Sequence, residues 1–325
     1  MLAYLIRRLL YAIPILLGVN LLTFALFFMV NTPDDMARMQ LGVKHVTQEA
    51  IDRWKVERGY DKPLFWNAAA PGLDKAADTI FFGKSARMFF GDFGQADDGR
   101  DIAREIRSRM LPSLAIALPT FALGLAVAVT LALTLAFFRA TRLDFWGVAL
   151  CVALMSASTL FYIIGGQYLF AKLWRLVPIS GFGEGLDFWR FTLLPVLIGV
   201  AAGVGANTRW YRTIFLEEVG KDYVRAARAK GLSETRIFFV HILKNALIPI
   251  LTGVVAVIPL LFMGSLLMES FFGIPGLGSY TIDAINAQDF SVVRAMVFIG
   301  SALYIAGLMA TDLSYALVDP RIRFS

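Results

Sequence analysis

The sequence predicts an all-α, polytopic membrane protein with six transmembrane helices and one large extracytoplasmic loop after the first of them. Three observations carry that expectation. Of the 325 residues, 58% are hydrophobic and only 17% charged, an apolar excess whose natural solvent is a bilayer. Six runs are apolar and long enough to cross about 30 Å of hydrocarbon. The basic residues gather at alternate short flanks of those runs, as topology requires. The formal charge of +6 therefore records orientation and points to membrane lipid as the surroundings, with no nucleic acid partner implied.

Taken in order, Tyr4 to Arg8 is short and basic, and Leu9 to Val30 is uncharged. The run is longer than a secretory signal core and no small-residue cleavage site follows, so it reads as an uncleaved first span. Pro14 lies near the start of this run, where proline is tolerated. Residues 31–110 form a polar loop with 13 Lys/Arg and 13 Asp/Glu. Within it, Thr47 to Arg58 reads as a short helix with Thr47 as N-cap and Gly59 as terminator. Pro71-Gly72 is a turn signal in the less regular Trp66–Phe90 stretch. Asp101 to Met110 is amphipathic, with Ile102, Ile106 and Met110 at four-residue spacing, and is expected in the membrane interface ahead of the second span.

Five more apolar runs follow: Leu111 to Phe138, Phe145 to Ala171, Phe191 to Tyr211, Ala246 to Met268, and Val292 to Val318. Six spans put both termini on one side. Arg7, Arg8, Arg139, Arg142, the basic central loop, Arg321 and Arg323 vote for the cytoplasm; Lys172, Arg175 and Arg190 against Glu184 and Asp187, and Asp283 and Asp289 near Arg294, leave the outer loops near neutral. The expected organisation is 1–30 (N-terminal tip and first span), 31–110 (extracytoplasmic loop), 111–318 (five-helix core, with a cytoplasmic loop at 214–245) and 319–325 (cytoplasmic tail).

Chemistry is sparse. Cys151 lies in an apolar run and reads as a small buried hydrophobe; His45 and His241, expected in different loops, give no metal spacing. Gly83-Lys84-Ser85 resembles the end of a phosphate-binding loop, but Asp78 stands where the pattern needs glycine and no buried strand precedes it. Gly181 to Gly185 reads as a turn. No nucleophile–base arrangement appears, so no catalytic residue, metal or cofactor is expected on this chain. Asp312 and Glu269 lie towards the ends of the sixth and fifth runs, where snorkelling or helix-end pairing suits them better than ion coupling. Asn207 and Arg209 sit near the inner end of the fourth run, where Arg209 reaches headgroups or shapes an inner gate. Gly199 and Gly203 form a G-x-x-x-G pair for close helix packing, within the chain or on a partner. Pro249 and Pro259 are candidate bends in the fifth run.

The stretch Glu217 to Asn245 is the long polar segment between the fourth and fifth runs. It predicts two short helices. The first, from about Leu216 to Lys230, has Glu217 and Glu218 in its first turn and Arg225, Arg228 and Lys230 towards its end. Gly231 supplies the C′ residue and Ser233 caps the second helix, with Glu234 just inside. Tyr223, Ala226, Ala227 and Lys230 share one face at helical spacing. By pattern alone this is equally a docking element or a plain connection.

The run Asp222-Tyr223-Val224-Arg225-Ala226-Ala227-Arg228-Ala229-Lys230-Gly231-Leu232-Ser233, then His241 and Asn245-Ala246-Leu247-Ile248-Pro249, resembles the EAA coupling loop of ABC-importer permeases. It is most similar to the dipeptide/oligopeptide/nickel branch. Arg225 stands where the general pattern has Glu, and Pro249 comes later than usual. Tyr4 to Leu10 through Pro14 and Val19, Gly91-Asp92-Phe93-Gly94, Phe271-Phe272-Gly273-Ile274-Pro275-Gly276-Leu277-Gly278, and Tyr315 to Arg323 resemble the B-type subunits of that branch. Asn31-Thr32-Pro33-Asp34-Asp35 departs from them, and Ala68 to Met88 looks like an insertion.

The resemblance implies a type I importer permease in a bacterial-type inner membrane, with both termini cytoplasmic. It implies half of a translocation pathway for di- or oligopeptides, or for nickel or another small solute of the same branch. Its expected partners are a second homologous permease, two ATP-binding subunits that hold ATP and Mg, and an extracytoplasmic solute-binding protein. Asp222, Tyr223, Ala226, Ala227, Lys230 and Gly231 are the expected ATPase-coupling residues, and Ala227→Asp is expected to break that contact. A different class, an ion-coupled secondary transporter, needs a mid-membrane ion site and inverted repeats; a membrane enzyme needs clustered polar groups at one face, for which Asp312 and Asp319 are poor candidates.

Overall fold

The computed structural model describes residues 2–42, 46–183 and 185–318. His45, Glu184 and the tail from Asp319 lie outside the described residues. Every long element among these is helical, and no named strand occurs.

Helix α1, Leu2–Ala25, continues as a single wide π turn, Leu26–Val30. It begins within the basic tip, so Pro14 is interior and not near its start. Helix α2, Pro33–Leu41, has Thr32 and Asp35 as a capping box and Pro33 in its first turn. Helix α3, Gln48–Arg58, is capped by Thr47 and stopped by Gly59 at φ +67, as the sequence predicts. Two short helices, α4 (Asp74–Ala77) and α5 (Ile80–Lys84), and a 3₁₀ turn at Ala86–Phe90 fill the stretch read as irregular.

Helix α6, Ile102–Phe137, absorbs the amphipathic segment into the second span. Ile102 and Ile106 are 0% and 5% exposed. They pack into protein and do not offer the apolar face to lipid. The third apolar run is not one straight span. It divides into α7 (Arg142–Ser156) and α8 (Thr159–Gly166), the latter extended by a π turn at Gln167–Leu173; the two axes bend by 86°. Ala157 is extended and Ser158 caps α8, so a fresh helix start interrupts the hydrogen-bond ladder. The remaining elements are α9 (Phe188–Val219), α10 (Asp222–Ala229), α11 (Glu234–Arg236), α12 (Leu243–Val257), α13 (Leu266–Phe272), α14 (Leu277–Asn286) and α15 (Phe290–Val318). A π segment, Ile237–Ile242, joins α11 to α12 and holds His241 in helix, not loop. A 3₁₀ segment, Ile258–Met263, follows α12 and contains Pro259. The described residues thus hold five helices of spanning length, and six spans if the bent pair counts as one.

The chain forms two compact units. The first comprises Met1–Ser108 and Tyr280–Ala306. Its polar loop is a folded layer around an aromatic core: Phe24 and Phe28 from α1 meet Met36, Ile51, Trp54, Tyr60 and Ile80. Phe24 lies 4.7 Å from Phe28 and edge-on to Phe81 at 5.2 Å, geometries that add to plain area burial.

Among the described residues, the second unit comprises residues 109–279 and 307–318. One cluster joins Ala132 and Ala136 of α6, Phe215 and Val219 of α9, Val224 and Ala227 of α10, and Ile237, Phe238, Ile242 and Ala246. Another joins Ile116, Ile163, Leu194, Ile198, Met268 and Phe272. Helices α7 and α9 approach closely at Gly205, where a Cβ would come within 2.5 Å of the Cys151 carbonyl oxygen. Cys151 itself is buried.

Candidate functional site

Two features of the second unit stand out: the connection between α9 and α12, and a cavity between α6, α9 and the α12–α13 junction.

The connection differs from the expected layout at its start. Helix α9 runs on to Val219, and Gly220 with the extended Lys221 separates it from α10. Glu217 and Glu218 therefore end the long helix and do not begin the short one. Phe215 and Val219 explain this: both belong to the buried cluster, so packing carries α9 past the start of the polar stretch to Val219. Downstream the expectation holds. Gly231 adopts φ +76, and the Ser233 hydroxyl accepts from the Arg236 amide. The Arg228 guanidinium clamps the turn with two hydrogen bonds to Glu234, at 2.6 and 3.1 Å; this holds the Glu234 carboxyl below its ordinary range.

Helix α10 is two-faced. Val224 and Ala227 are 0% and 8% exposed and sit in the unit's own core. Asp222, Arg225, Ala226, Ala229, Lys230 and Gly231 are exposed. Ala227 thus departs from the face expected for it, and Ala226 and Ala229 form the small-residue surface that remains. Tyr223 also turns inward. Its hydroxyl donates to Glu218 Oε2 at 2.7 Å, while Lys221 bonds the other oxygen of the same carboxylate. Burial and that neighbouring carboxylate push the phenol up to about 12. Glu218, 7% exposed, is the residue that sequence reasoning mislaid. Its signal is an acid five residues before a tyrosine at a helix break.

The cavity has a volume of about 460 Å³ and is lined by Ser113, Thr120, Gly199, Gly203, Asn207 and Glu269 among others. That size suits a small organic ligand. The glycine pair divides in role. Gly199 is tightly approached, since a Cβ there would lie 2.6 Å from Thr120 Cγ2. Gly203 meets only the Asn207 amide, at 3.5 Å; it lines the cavity, and among the described residues no neighbouring helix packs on it, which removes the within-chain alternative and leaves packing on a partner. Arg209 is exposed and reaches Met155 Sδ at 3.3 Å. Arg212 makes a bidentate bond to Asp144, at 2.9 and 2.8 Å, and ties the start of α7 to α9; the sequence reading did not single out that pair.

Glu269 does not snorkel. It is 1% exposed and accepts from the backbone amides of Ser265 (3.2 Å) and Ser279 (3.1 Å). The Gly278 amide and the Ser113 side chain also bond it. Ser113 Oγ in turn accepts from the Leu277 amide at 2.7 Å. The amides of Ser265, Gly278 and Ser279 thus form a backbone cradle for one carboxylate, to which the end of the Phe271–Gly278 motif contributes. A Cβ at Gly276 would lie 2.5 Å from Ser113 Oγ and still nearer the carboxylate, so only glycine fits. Asp312, the other carboxylate singled out, is half-buried on α15.

Comparison with known proteins follows this geometry. The family described as "Binding-protein-dependent transport system inner membrane component" matches residues 106–324, and its N-terminal companion, "Binding-prot-dependent transport system membrane comp, N-term", matches residues 1–74. Relatives that align from end to end include the oligopeptide transport system permease protein AppB of Bacillus subtilis, 27% identical over all of both chains. The glutathione transport system permease protein GsiC of Salmonella typhimurium is 30% identical over all of both chains. The dipeptide transport system permease protein DppB of Escherichia coli is 28% identical over 99% of each.

Proposed function

This chain belongs to the family of binding-protein-dependent transport inner membrane components, and on that premise we propose that it forms half of a peptide-import pathway driven by separate ATP-binding subunits. The peptide cargo rests on relatives named for oligopeptide, dipeptide and glutathione transport. A second permease of the same family completes the pathway. The cavity lined by Thr120, Gly199, Gly203 and Asn207 is this chain's share of it. The termini and the 214–245 loop face the cytoplasm, in keeping with the basic flanks. The layer built on residues 31–101 faces the solute-binding protein.

The observation that carries the proposal is the two-faced α10. Its inner face is packed into the same core as α6, α9 and α12, while Ala226, Ala229, Lys230 and Gly231 stay exposed. A body seated on that outer face moves α10 and, through Val224 and Ala227, the membrane helices, as a rigid-body switch requires. Ala227→Asp would bury a charge in this chain's own core, so it reports on folding and not on docking. Ala226→Asp is the sharper test. The experiment is gentle purification from native membranes, identification of the chains that co-purify, and assay of ATP hydrolysis and peptide uptake. A second permease and ATP-binding subunits are expected, with their recovery and peptide-stimulated hydrolysis at least about tenfold lower in Ala226→Asp, the scale of one buried uncompensated polar group. Recovery of this chain alone, moving solute without ATP, would overturn the proposal.

A further inference from the structure

Among its described residues, the first unit holds a partly buried cation with no acid in contact. Arg294 is 3% exposed. Its guanidinium lies 4.8 Å from the centroid of the Phe28 ring and donates to Ser85 Oγ at 3.4 Å. Asp289 is 7% exposed, but backbone amides occupy its carboxylate: Asp97 N–H at 2.7 Å and Val292 N–H at 3.1 Å. The Asp97 carboxylate is taken by Arg58, through Nε at 3.2 Å and a terminal nitrogen at 3.1 Å. Lys84 remains. It is half-buried, its Nζ rests 5.3 Å from the centroid of the Tyr60 ring, and among the described residues no carboxylate or other hydrogen-bond acceptor meets it. Asp289 and Asp97 are thus taken by other groups, Glu57 stands exposed at the rim, and Lys84 is a partly buried ammonium with no acid in contact, which is costly.

The Lys84 ammonium borders a polar cleft of about 410 Å³, lined by Glu57, Arg58, Tyr60, Lys84, Gln95 and Ser291 among others. We propose that this cleft binds the terminal carboxylate of a short peptide, with the Lys84 ammonium as its counter-charge. Lys84 offers one point charge with no acid in contact, which fits a carboxylate better than a phosphate dianion. Burial and the neighbouring cations, Arg294 foremost, pull the Lys84 ammonium below the ordinary lysine range; a carboxylate against it reverses that destabilisation. Gly83-Lys84-Ser85 therefore has an anion chemistry without being a phosphate loop: α5 ends at Lys84, and the lysine acts as a point charge. Glu57, exposed at the cleft, is the internal competitor for the same ammonium. The peptide as source rests on the transport reading above; the carboxylate chemistry does not.

The test uses the full chain in lipid nanodiscs with two small probes at fixed ionic strength, N-acetylalanine and N-acetylalaninamide, which differ in the carboxylate. Binding is read by calorimetry and by the shift of the thermal midpoint. N-acetylalanine is expected to bind and the amide not. Lys84→Met is expected to weaken N-acetylalanine by roughly tenfold or more, the scale of a charge-assisted hydrogen bond, Lys84→Arg to retain it, and Glu57→Gln to keep or tighten it. Equal responses to the two probes would overturn the proposal, as would undiminished binding in Lys84→Met. Binding seen only in Glu57→Gln would assign the site to Glu57 and overturn it for the native chain. The probe comparison in the native chain decides the matter even where Lys84→Met folds poorly. Because the assay needs no transport, the two readings fail separately. Probe binding without peptide uptake removes the peptide source alone, and peptide uptake without probe binding removes the site alone.

Discussion

Glu218 and Glu269 are both buried near the end of a helix, at 7% and 1% exposure, yet they are held by different means. Side chains hold Glu218: the Tyr223 hydroxyl at 2.7 Å and the Lys221 ammonium. Backbone amides hold most of Glu269: Ser265, Ser279 and Gly278, with Ser113 adding a side-chain bond. A side chain changes partner by a rotamer hop, but a backbone amide moves only if its turn unfolds. The joint at α9–α10 is built to shift while staying paired. The joint at α13–α14 is built to stay. The α9–α10 joint lies next to the exposed face of α10, and Glu269 lines the cavity. In an ATP-driven pathway the two roles are complementary, since a push at one end does work only against a rigid seat at the other.

The largest test of that contrast is Glu269→Ala. Removing the acceptor strands several buried amides at about 1–3 kcal/mol each, so a loss of roughly 3–5 kcal/mol is expected in the unfolding free energy of the purified chain. A loss below about 1 kcal/mol would show that water replaces the carboxylate and that the seat is not rigid. Tyr223→Phe should cost less, about 1.5 kcal/mol, because Lys221 still pairs Glu218 and one hydrogen bond to a charged group is removed. Its effect on peptide moved per ATP hydrolysed should exceed its effect on unfolding. If the two fall in proportion, the α9–α10 joint is only structural.

The smallest effect is in alkaline titration. The Tyr223 phenol is raised in the folded chain from about 10 to about 12, so the folded state holds its proton where the unfolded state has lost it. Stability from this bond is whole below the unfolded value and drains away as the pH climbs through the folded one. Unfolding midpoints measured between about pH 9 and 12 should decline more steeply in the native chain than in Tyr223→Phe. Parallel curves would mean that the hydroxyl does not bond the buried carboxylate.

Much was legible from local pattern. The apolar runs marked five straight spans, because length and hydropathy need no partner to be read. Thr47 and Gly59 bounded α3, and Gly231 and Ser233 bounded the turn after α10, because caps satisfy amides within a few residues. The motif around Ala226 and the Phe271–Gly278 stretch carried the family. The end of α9 was misread, because a polar boundary in sequence competed with the packing of Phe215 and Val219. The 86° bend after Ser156 was missed, because Ala157 and Ser158 interrupt an unbroken apolar run with no proline or glycine to announce it.

The sequence by itself determined which stretches are apolar and long enough to cross a bilayer, which of their flanks are basic, and the caps of α3 and of the turn after α10. All of these are set by interactions spanning a turn or two. Tertiary structure alone decided which alanine of α10 stays outside, how the polar loop acquires an aromatic core, and what Glu269 is for. Ser113 and Leu277 are separated by 164 positions, and Lys84 lies far along the chain from Arg294; nothing in either neighbourhood announces the other. A buried charge takes its meaning from what surrounds it in space, and chain proximity does not supply that.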